Sequence, residues 1–311
     1  MTKSSALQRA MVSALPLLPK RVVAAGARRY VAGAALENAL EVVTALASNR
    51  RLATIDVLGE NYQTPEQSNR LTEEYLRIVD LAAGYGAPSL SVMMTGLGMN
   101  VNRSLCRENL MRVVEAADHR DLQITINMED SSTTDETLAA YRTVRDAGHD
   151  HVGIVLQASL RRSAADVEAL RDLKPRVRIV KGIWVEPYGV AFDDFDVIRS
   201  SYLHILESLL AIGSYVEIAT HDTYLVEEAN RLLEKYEYGP DQYEFQMLLG
   251  VRPEIGDVLI AEGRKVRVYV PYGDDWYEYC LRRLKESPQF ARHAMRGGVA
   301  ALLGSKRNST S

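Results

Sequence analysis

The sequence has little of what marks several protein classes. Its two cysteines, Cys106 and Cys280, form no CxxC pair, and no secretory apolar segment is present, which favours a reducing cytoplasm. No apolar run approaches the ~20 residues that a membrane helix needs. The net charge of −4 gives no indication of a nucleic-acid partner.

Acidic residues are missing from the first 36 positions, which hold six basic side chains. Such a segment fits a presequence or a helix on a membrane surface, and it equally fits a solvated helical arm, which we favour. We therefore predict a helical arm over residues 1–50, with peripheral contact to the inner face of a membrane left open. Residues 51–290 would form the catalytic domain and residues 291–311 a C-terminal tail.

The rest of the chain alternates between strand-like and helix-like segments. An apolar fraction of 47% and a charged fraction of 25% are typical of a globular protein. Runs rich in β-branched residues predict strands at 52–58, 89–95, 123–128, 152–157, 177–183, 215–220, 244–249 and 265–270. Amphipathic segments between them predict helices at 65–83, 107–119, 134–147, 164–173, 194–212, 224–236 and 254–262.

Eight such units favour a closed (β/α)8 barrel over an open doubly wound sheet. The open sheet usually has a glycine-rich turn after its first strand. Here Gly96-Leu97-Gly98 follows the second predicted strand, and Val101 stands where a third glycine would be expected. A lone GxG is weak evidence, so we interpret it as a loop.

Polar residues recur at the carboxyl ends of the predicted strands, where barrel active sites lie. Each has an ordinary structural explanation, such as an ion pair between Glu217 and an arginine of a neighbouring strand. Their recurrence over six strands favours a functional site. The residues are Asn127, Glu129, Asp130, Gln157, Arg178, Lys181, Glu217, Thr220, His221, Asp222, Gln246 and Tyr269.

Arg178 and Lys181 suggest different chemistries. Arg178 lies in an apolar strand and must find a partner there, either a barrel ion pair or a cofactor atom that gains negative charge. Lys181 could form a Schiff base, as in aldolase barrels. The two differ in strand parity, so only one can point along the barrel axis, and the other would lean toward the rim.

No metal site is predicted. His149 and His151 precede the fourth strand, at the wrong face of a barrel for the site, and are interpreted as surface residues. His221 is the one histidine placed at the mouth, and a single imidazole does not make a metal site.

The last helical segment carries Tyr279 one turn before the pair Arg282 and Arg283. Two guanidinium groups can hold one carboxylate in a planar fork. The alternative is an ordinary solvated basic surface. Tyr269, at the end of the eighth strand, would add a second aromatic wall.

These residues resemble the proline dehydrogenases, most closely their compact bacterial monofunctional form. The resemblance extends from about residue 52 to about residue 288 and follows the family's order and spacing. The matching stretches are VRIVKG (177–182), ATHD (219–222), YEFQMLLGVRPE (243–254), RVYVPYG (267–273) and YCLRR (279–283).

The resemblance implies a barrel with its last helix over the strand ends, non-covalent FAD, and oxidation of proline to 1-pyrroline-5-carboxylate with electrons passed to a quinone. Arg178 would donate near flavin N5, and Arg282 and Arg283 would bind the carboxylate between Tyr269 and Tyr279. The implied cofactor contacts are Met128, Gln157, Arg178, Lys181, Gly182, Ile183, Thr220 and His221.

Two positions depart from the family pattern. Met93 stands where the family has a lysine in a V-K-L-T-x-L-G run, and Asn127 stands where it has an aspartate in an I-D-M-E-D run. Their joint loss removes one charge of each sign, so neither partner is left as an unpaired buried charge. Because Met93 is flexible and apolar, the site could accept a bulkier or modified ring.

Three functions remain open at this point. The first is a flavin dehydrogenase of proline or a related cyclic amino acid. The second is a Schiff-base aldolase that uses Lys181. The third is a flavin-binding homologue with weakened catalysis, which the replacements at Met93 and Asn127 suggest.

Overall fold

Eight parallel strands close into a barrel in the computed structural model, which describes residues 29–86, 88–277, 279 and 280. Each strand pairs with the next along the chain, and β8 pairs with β1, so the predicted fold class is confirmed. The strands are β1 (Leu52–Val57), β2 (Ser89–Val92), β3 (Ile124–Ile126), β4 (Val152–Gln157), β5 (Arg176–Val180), β6 (Tyr215–Ala219), β7 (Tyr243–Leu248) and β8 (Val266–Tyr272).

Helices surround the barrel. The first described helix packs against β8 and β1, and a helix follows each of the first seven strands. They are α1 (Leu36–Ser48), α2 (Pro65–Ala82), α3 (Arg103–Asp118), α4 (Thr134–Asp146), α5 (Ser163–Ala169), α6 (Phe195–Ala211), α7 (Thr223–Lys235) and α8 (Pro253–Ala261).

The strand parity separates an apolar layer from a polar interior. On β4, Val155 and Gln157 line the cavity described below, whereas Ile154 and Leu156 have the opposite parity and are fully buried with the apolar core. The same alternation holds around the barrel. The apolar side chains pack against the surrounding helices, and the side chains that point into the barrel can be polar.

The observed elements differ from the predicted ones mainly at their ends. Helix α3 begins at Arg103 rather than at 107, because the Asn102 side chain caps it by accepting hydrogen bonds from the backbone N–H groups of Ser104 (2.8 Å) and Leu105 (3.3 Å). Strand β2 ends at Val92 rather than at 95, because the chain then turns. The Gly96-Leu97-Gly98 segment lies in this turn, as predicted.

The two ends of the chain lie largely outside the described residues. Of the predicted helical arm, the structure describes residues 29–50, which include α1. The predicted tail at 291–311 lies outside the described part, and the last helix enters it only with Trp276, Tyr277, Tyr279 and Cys280. None of the helices that the structure describes combines the length and apolar character needed to cross a bilayer.

Candidate active site

A cavity of about 1360 Å³ opens at the carboxyl ends of the barrel strands. This is larger than the roughly 300–1,000 Å³ of most small-molecule sites. The described residues that were predicted to contact the substrate or cofactor all line it: Met93, Asn127, Met128, Gln157, Arg178, Lys181, Gly182, Ile183, Thr220, His221, Tyr269 and Tyr279. Arg282 and Arg283 lie outside the described residues.

Arg178 lies inside the barrel and is almost completely buried. Its Nε donates to Gln246 Oε1 at 2.6 Å and lies 3.3 Å from Glu217 Oε2. Its Nη1 donates to Ser91 Oγ at 2.9 Å and to Asn127 Oδ1 at 3.2 Å. The guanidinium group therefore joins side chains of three other strands, β2, β6 and β7, and Asn127 directly after β3.

Two buried donors beside this network have no hydrogen-bond partner among the described residues: Arg178 Nη2 and Asn127 Nδ2. A buried donor without a partner costs roughly 1–3 kcal/mol of stability. Because both residues line the cavity, an acceptor atom of a bound molecule can satisfy these groups. They are the strongest local indication of a ligand.

Aromatic and apolar side chains form another part of the wall. The Tyr269 ring centroid lies 5.5 Å from Arg178 Cζ, and Tyr279 is buried at the same cavity. Burial, followed by the charge of Asp56, raises the pKa of Tyr269 well above its ordinary value, so its hydroxyl stays protonated. With Met93 nearby, this wall suits an uncharged ring.

Arg178 is the residue that points into the barrel, and Lys181, directly after β5, is the one that lies at the rim. Its Nζ donates to Asp222 Oδ2 at 3.0 Å, and Arg199 holds the same carboxylate through two hydrogen bonds of 2.8 and 2.9 Å. Both cations also contact the Phe195 ring. Although burial opposes ionisation, hydrogen bonds from Arg199 and Lys181 and their charges lower the pKa of Asp222 to about 2.

His221 and Gly182 have geometries that a substitution would disturb. His221 Nε2 accepts a hydrogen bond from the backbone N–H of Leu248 at 3.0 Å, which leaves the ring proton on Nδ1 in the neutral form. Gly182 has φ +103°, and a Cβ there would lie 2.0 Å from Ser159 Oγ. Only glycine fits this close approach without rearrangement.

Several polar residues expected at the mouth do not line the cavity. Glu217 lies deeper, where Arg176 Nε donates to it at 2.5 Å, so the ion-pair explanation is the correct one. Glu129 accepts a hydrogen bond from the backbone N–H of Thr95 at 2.9 Å. Asp130 accepts one from the backbone N–H of Ser132 at 2.9 Å and organises a turn.

The sequence reasoning missed some residues that line the cavity. Asp56 is a buried acid inside β1, and a charged residue in an apolar strand is the signal that singled out Arg178. Arg199 and Arg252 come from helix starts, and no strand pattern marks them. Arg252 Nη1 donates to the carbonyl of His221 at 2.9 Å.

His149 and His151 lie at the amino-terminal end of the barrel, away from the cavity, and are partly buried rather than freely solvated. Both side chains are only about one-sixth exposed, at 16% and 14%. They face the carboxylate of Asp118 at the end of α3, which packs beside the segment before β4. The linear sequence gives no sign of this approach.

The comparisons with known proteins agree with this geometry. A family model described as proline dehydrogenase matches residues 39–292. Proline dehydrogenase 1 of Bacillus subtilis subsp. natto is 37% identical over 273 residues, which cover 88% of this chain and 90% of that protein. Proline dehydrogenase of Deinococcus radiodurans is 35% identical over 276 residues, which cover 87% and 89% of the two chains.

Among solved structures, proline utilization A from Bdellovibrio bacteriovorus superposes with a TM-score of 0.79 at 22% identity. The match covers 85% of this chain and 33% of that one, so the present chain spans about a third of its length. At this identity the likeness shows the barrel fold alone.

Proposed function

Because the chain belongs to the proline dehydrogenase family, we propose that it oxidises L-proline, or a closely related cyclic amino acid, with FAD as the electron acceptor. The product from proline would be 1-pyrroline-5-carboxylate. The observation that carries the proposal is the pair of buried donors without partners, Arg178 Nη2 and Asn127 Nδ2, at a cavity large enough for a dinucleotide.

The residues present fit FAD. Arg178, Asn127 and Gln157 supply amide and guanidinium groups for the polar edge of a flavin ring. The cations Lys181 and Arg199 stand at the rim, and Thr220 and His221 precede the start of α7, where phosphate groups are favoured. When bound, FAD supplies an oxidising ring that accepts a hydride from the substrate carbon next to nitrogen.

The chain's own residues would prepare this step electrostatically. Gln246, Ser91 and Asn127 hold the Arg178 guanidinium in place before any ligand arrives, so little reorganisation is needed. Its positive charge favours a neighbour that gains negative charge. The neutral Asn127 amide would also hold the guanidinium group without adding a second carboxylate to Glu217, which lies 3.3 Å from Arg178 Nε.

Substrate binding would combine an apolar wall with a carboxylate clamp. Tyr269, Tyr279 and Met93 would enclose the ring, and Arg282 and Arg283 would bind the carboxylate. We expect Arg282→Ala and Arg283→Ala each to weaken proline use about 10–100-fold, because a charge-assisted contact contributes about 1.5–3 kcal/mol. Steady-state kinetics alongside flavin content measure this, and unchanged kinetics in both variants contradict the assignment.

The electrons would pass from FAD to a quinone, and peripheral contact of the basic residues 1–36 with the inner membrane face is the alternative to the solvated arm that we favour. Cosedimentation with anionic vesicles tests whether this segment binds a membrane surface. A chain that lacks residues 1–28 is the matched comparison. Equal binding by both chains contradicts a role for this segment.

The environment of Lys181 does not support the aldolase alternative. A Schiff-base lysine has to be an uncharged amine, and Lys181 is instead ion-paired to Asp222 at the rim. Borohydride trapping of a carbonyl substrate on Lys181 would reopen this alternative.

The other alternative is a flavin-binding homologue with weakened catalysis. Turnover of L-proline with a dye acceptor at ordinary enzyme rates would exclude it.

The deciding experiment is anaerobic bleaching of the flavin absorbance. The protein, loaded with FAD, is mixed with a panel of cyclic amino acids that includes L-proline and N-substituted or larger rings. We expect L-proline to bleach the flavin. If a bulkier ring bleaches it faster, that ring is the preferred substrate and packs against Met93. A protein that takes up no FAD overturns the proposal.

A further inference from the structure

Two imidazoles and a carboxylate converge on the side of the barrel opposite the cavity. Asp118 is the last residue of α3, and His149 and His151 lie between α4 and the first residue of β4. This is the amino-terminal end of the strands, whereas the cavity lies at their carboxyl ends. No contact of the proposed reaction uses these three residues.

The distances among their ligand atoms are close to those of a metal site. His149 Nδ1 lies 2.9 Å from Asp118 Oδ2, and His151 Nδ1 lies 3.2 Å from Asp118 Oδ1. One ligand atom from each residue lies within 4.8 Å of the others. Zinc–nitrogen and zinc–oxygen bonds of about 2.0–2.2 Å separate tetrahedral ligands by roughly 3.3 Å.

The tautomer of His151 also points to a cation. Its Nε2 lies 3.2 Å from the carbonyl oxygen of Val114, which can only accept, so Nε2 must carry the proton. In the neutral ring Nδ1 then presents a lone pair toward the Asp118 carboxylate. Metal-bound histidines show this arrangement, in which the second ring nitrogen donates to a carbonyl and orients the first.

We infer that Asp118, His149 and His151 bind a divalent transition-metal ion of the zinc class. Two imidazoles and one carboxylate are borderline ligands that suit zinc, cobalt and nickel better than magnesium or calcium. The Asp118 side chain is half exposed, at 50%, so water can complete a four-coordinate sphere. The ion joins the end of α3 to the segment that enters β4.

Its effect on the protein is stabilisation. Residues at the amino-terminal face of such barrels serve stability rather than catalysis. An ion that binds only the folded chain stabilises it by RT ln(1 + [ion]/Kd), so the melting temperature rises with the concentration of free ion. Zinc should therefore raise the Tm while leaving the rate of proline oxidation unchanged.

The test measures zinc binding to the full-length, flavin-loaded protein after chelator treatment. We expect one Zn²⁺ per chain, and cobalt substitution should give the visible absorption bands of four-coordinate Co²⁺. His149→Gln, His151→Gln and Asp118→Asn should each weaken binding by more than about 10-fold, since even an outer partner contributes about 10–100-fold. His204→Gln, an exposed histidine on α6, is the matched control and should bind as the parent does.

Either of two results overturns the inference: no stoichiometric uptake by the parent protein, or equal affinity in the parent and in both histidine variants. If a variant fails to fold, anomalous diffraction from a zinc-soaked crystal of the parent decides. A peak bounded by the three side chains supports the site. The absence of a peak there refutes it.

Discussion

At the scale of single residues, Arg178 shows how a buried charge becomes useful. A guanidinium in an apolar strand is tolerated because Gln246, Ser91 and Asn127 satisfy most of its donors. The remaining donor, Nη2, is the group available to a ligand. Stability and the proposed chemistry therefore depend on the same side chain.

Arg178→Lys should slow flavin reduction by proline about 10–100-fold. Lysine keeps the charge but cannot bridge Gln246 and Asn127 while presenting another donor, and a charge-assisted contact contributes about 1.5–3 kcal/mol. Rapid mixing under anaerobic conditions measures the rate. The exposed Arg120→Lys is the control. An unchanged rate with normal flavin content contradicts the role of Arg178.

Glu129 is a second residue whose burial has a measurable consequence. Burial raises its pKa from 4.5 to about 7, although hydrogen bonds from Thr95 oppose this shift. Between pH 4.5 and pH 7, the Glu129 carboxyl therefore binds its proton more tightly in the folded state than in the unfolded state. The free energy of unfolding therefore falls as pH rises from about 4.5 to 7, by an amount of order 3 kcal/mol.

Glu129→Gln removes this ionisation, so it should stabilise the protein at pH 8 and have much less effect at pH 5. Urea unfolding at the two pH values measures the difference. The control, Glu262→Gln at an exposed position, should change the free energy of unfolding by the same small amount at both pH values. A Glu129→Gln variant that is no more stable at pH 8 than the parent would rule out the buried, ionisable carboxyl described here.

At the scale of elements, the end of β5 is constrained by its contact with the end of β4. The backbone N–H of Ser159 donates to the carbonyl of Lys181 at 2.7 Å, and Gly182 takes φ +103° beside Ser159. This close approach brings Gln157 and Lys181 to one cavity. A glycine at this point therefore helps to shape the site.

Gly182→Ala should cost more stability than Gly148→Ala and should also reduce FAD content. Both positions have similar positive φ values, +103° and +95°, which cost alanine about 1–3 kcal/mol. Only at Gly182 would the new Cβ meet another side chain, whereas nothing lies within 4 Å at Gly148. Thermal unfolding and flavin absorbance compare the two. Equal losses in both variants would show that the close approach is unimportant.

At the scale of the whole molecule, the barrel interior contains a charge network rather than an apolar plug. Glu244 receives two hydrogen bonds from Arg267, at 2.6 and 3.0 Å, and one from Gln246 at 2.7 Å. Gln246 in turn accepts from Arg178. The network therefore connects the base of the barrel with the floor of the cavity.

Glu244→Gln should lower the free energy of unfolding by about 3–5 kcal/mol, because it leaves the buried charge of Arg267 with only neutral hydrogen-bond partners. Asp241→Asn breaks the exposed pair with Lys265 and should cost less than about 1 kcal/mol. Urea unfolding of both variants checks the contrast. Similar costs would mean that the interior charges are well hydrated.

The pattern of β-branched and amphipathic segments was sufficient to predict eight strands, the helices between them and the closed barrel. It also placed the site at the strand ends, because strand order and parity are local properties. Asn127, Gln157, Arg178 and Tyr269 were found in this way and Met93 through the family resemblance, and the described structure gathers all five at one cavity. Asp56 could have been found by the same argument, whereas Arg199 lacked any pattern.

Tertiary structure alone decided which side chains meet. The sequence could not show that Glu217 turns toward Arg176, that Asp222 holds both Lys181 and Arg199, or that Asp118 faces His149. These contacts join segments far apart in the chain, and their distances depend on barrel register and helix packing. Local periodicity determines which face a residue occupies, but only the closed barrel determines its neighbour across that face.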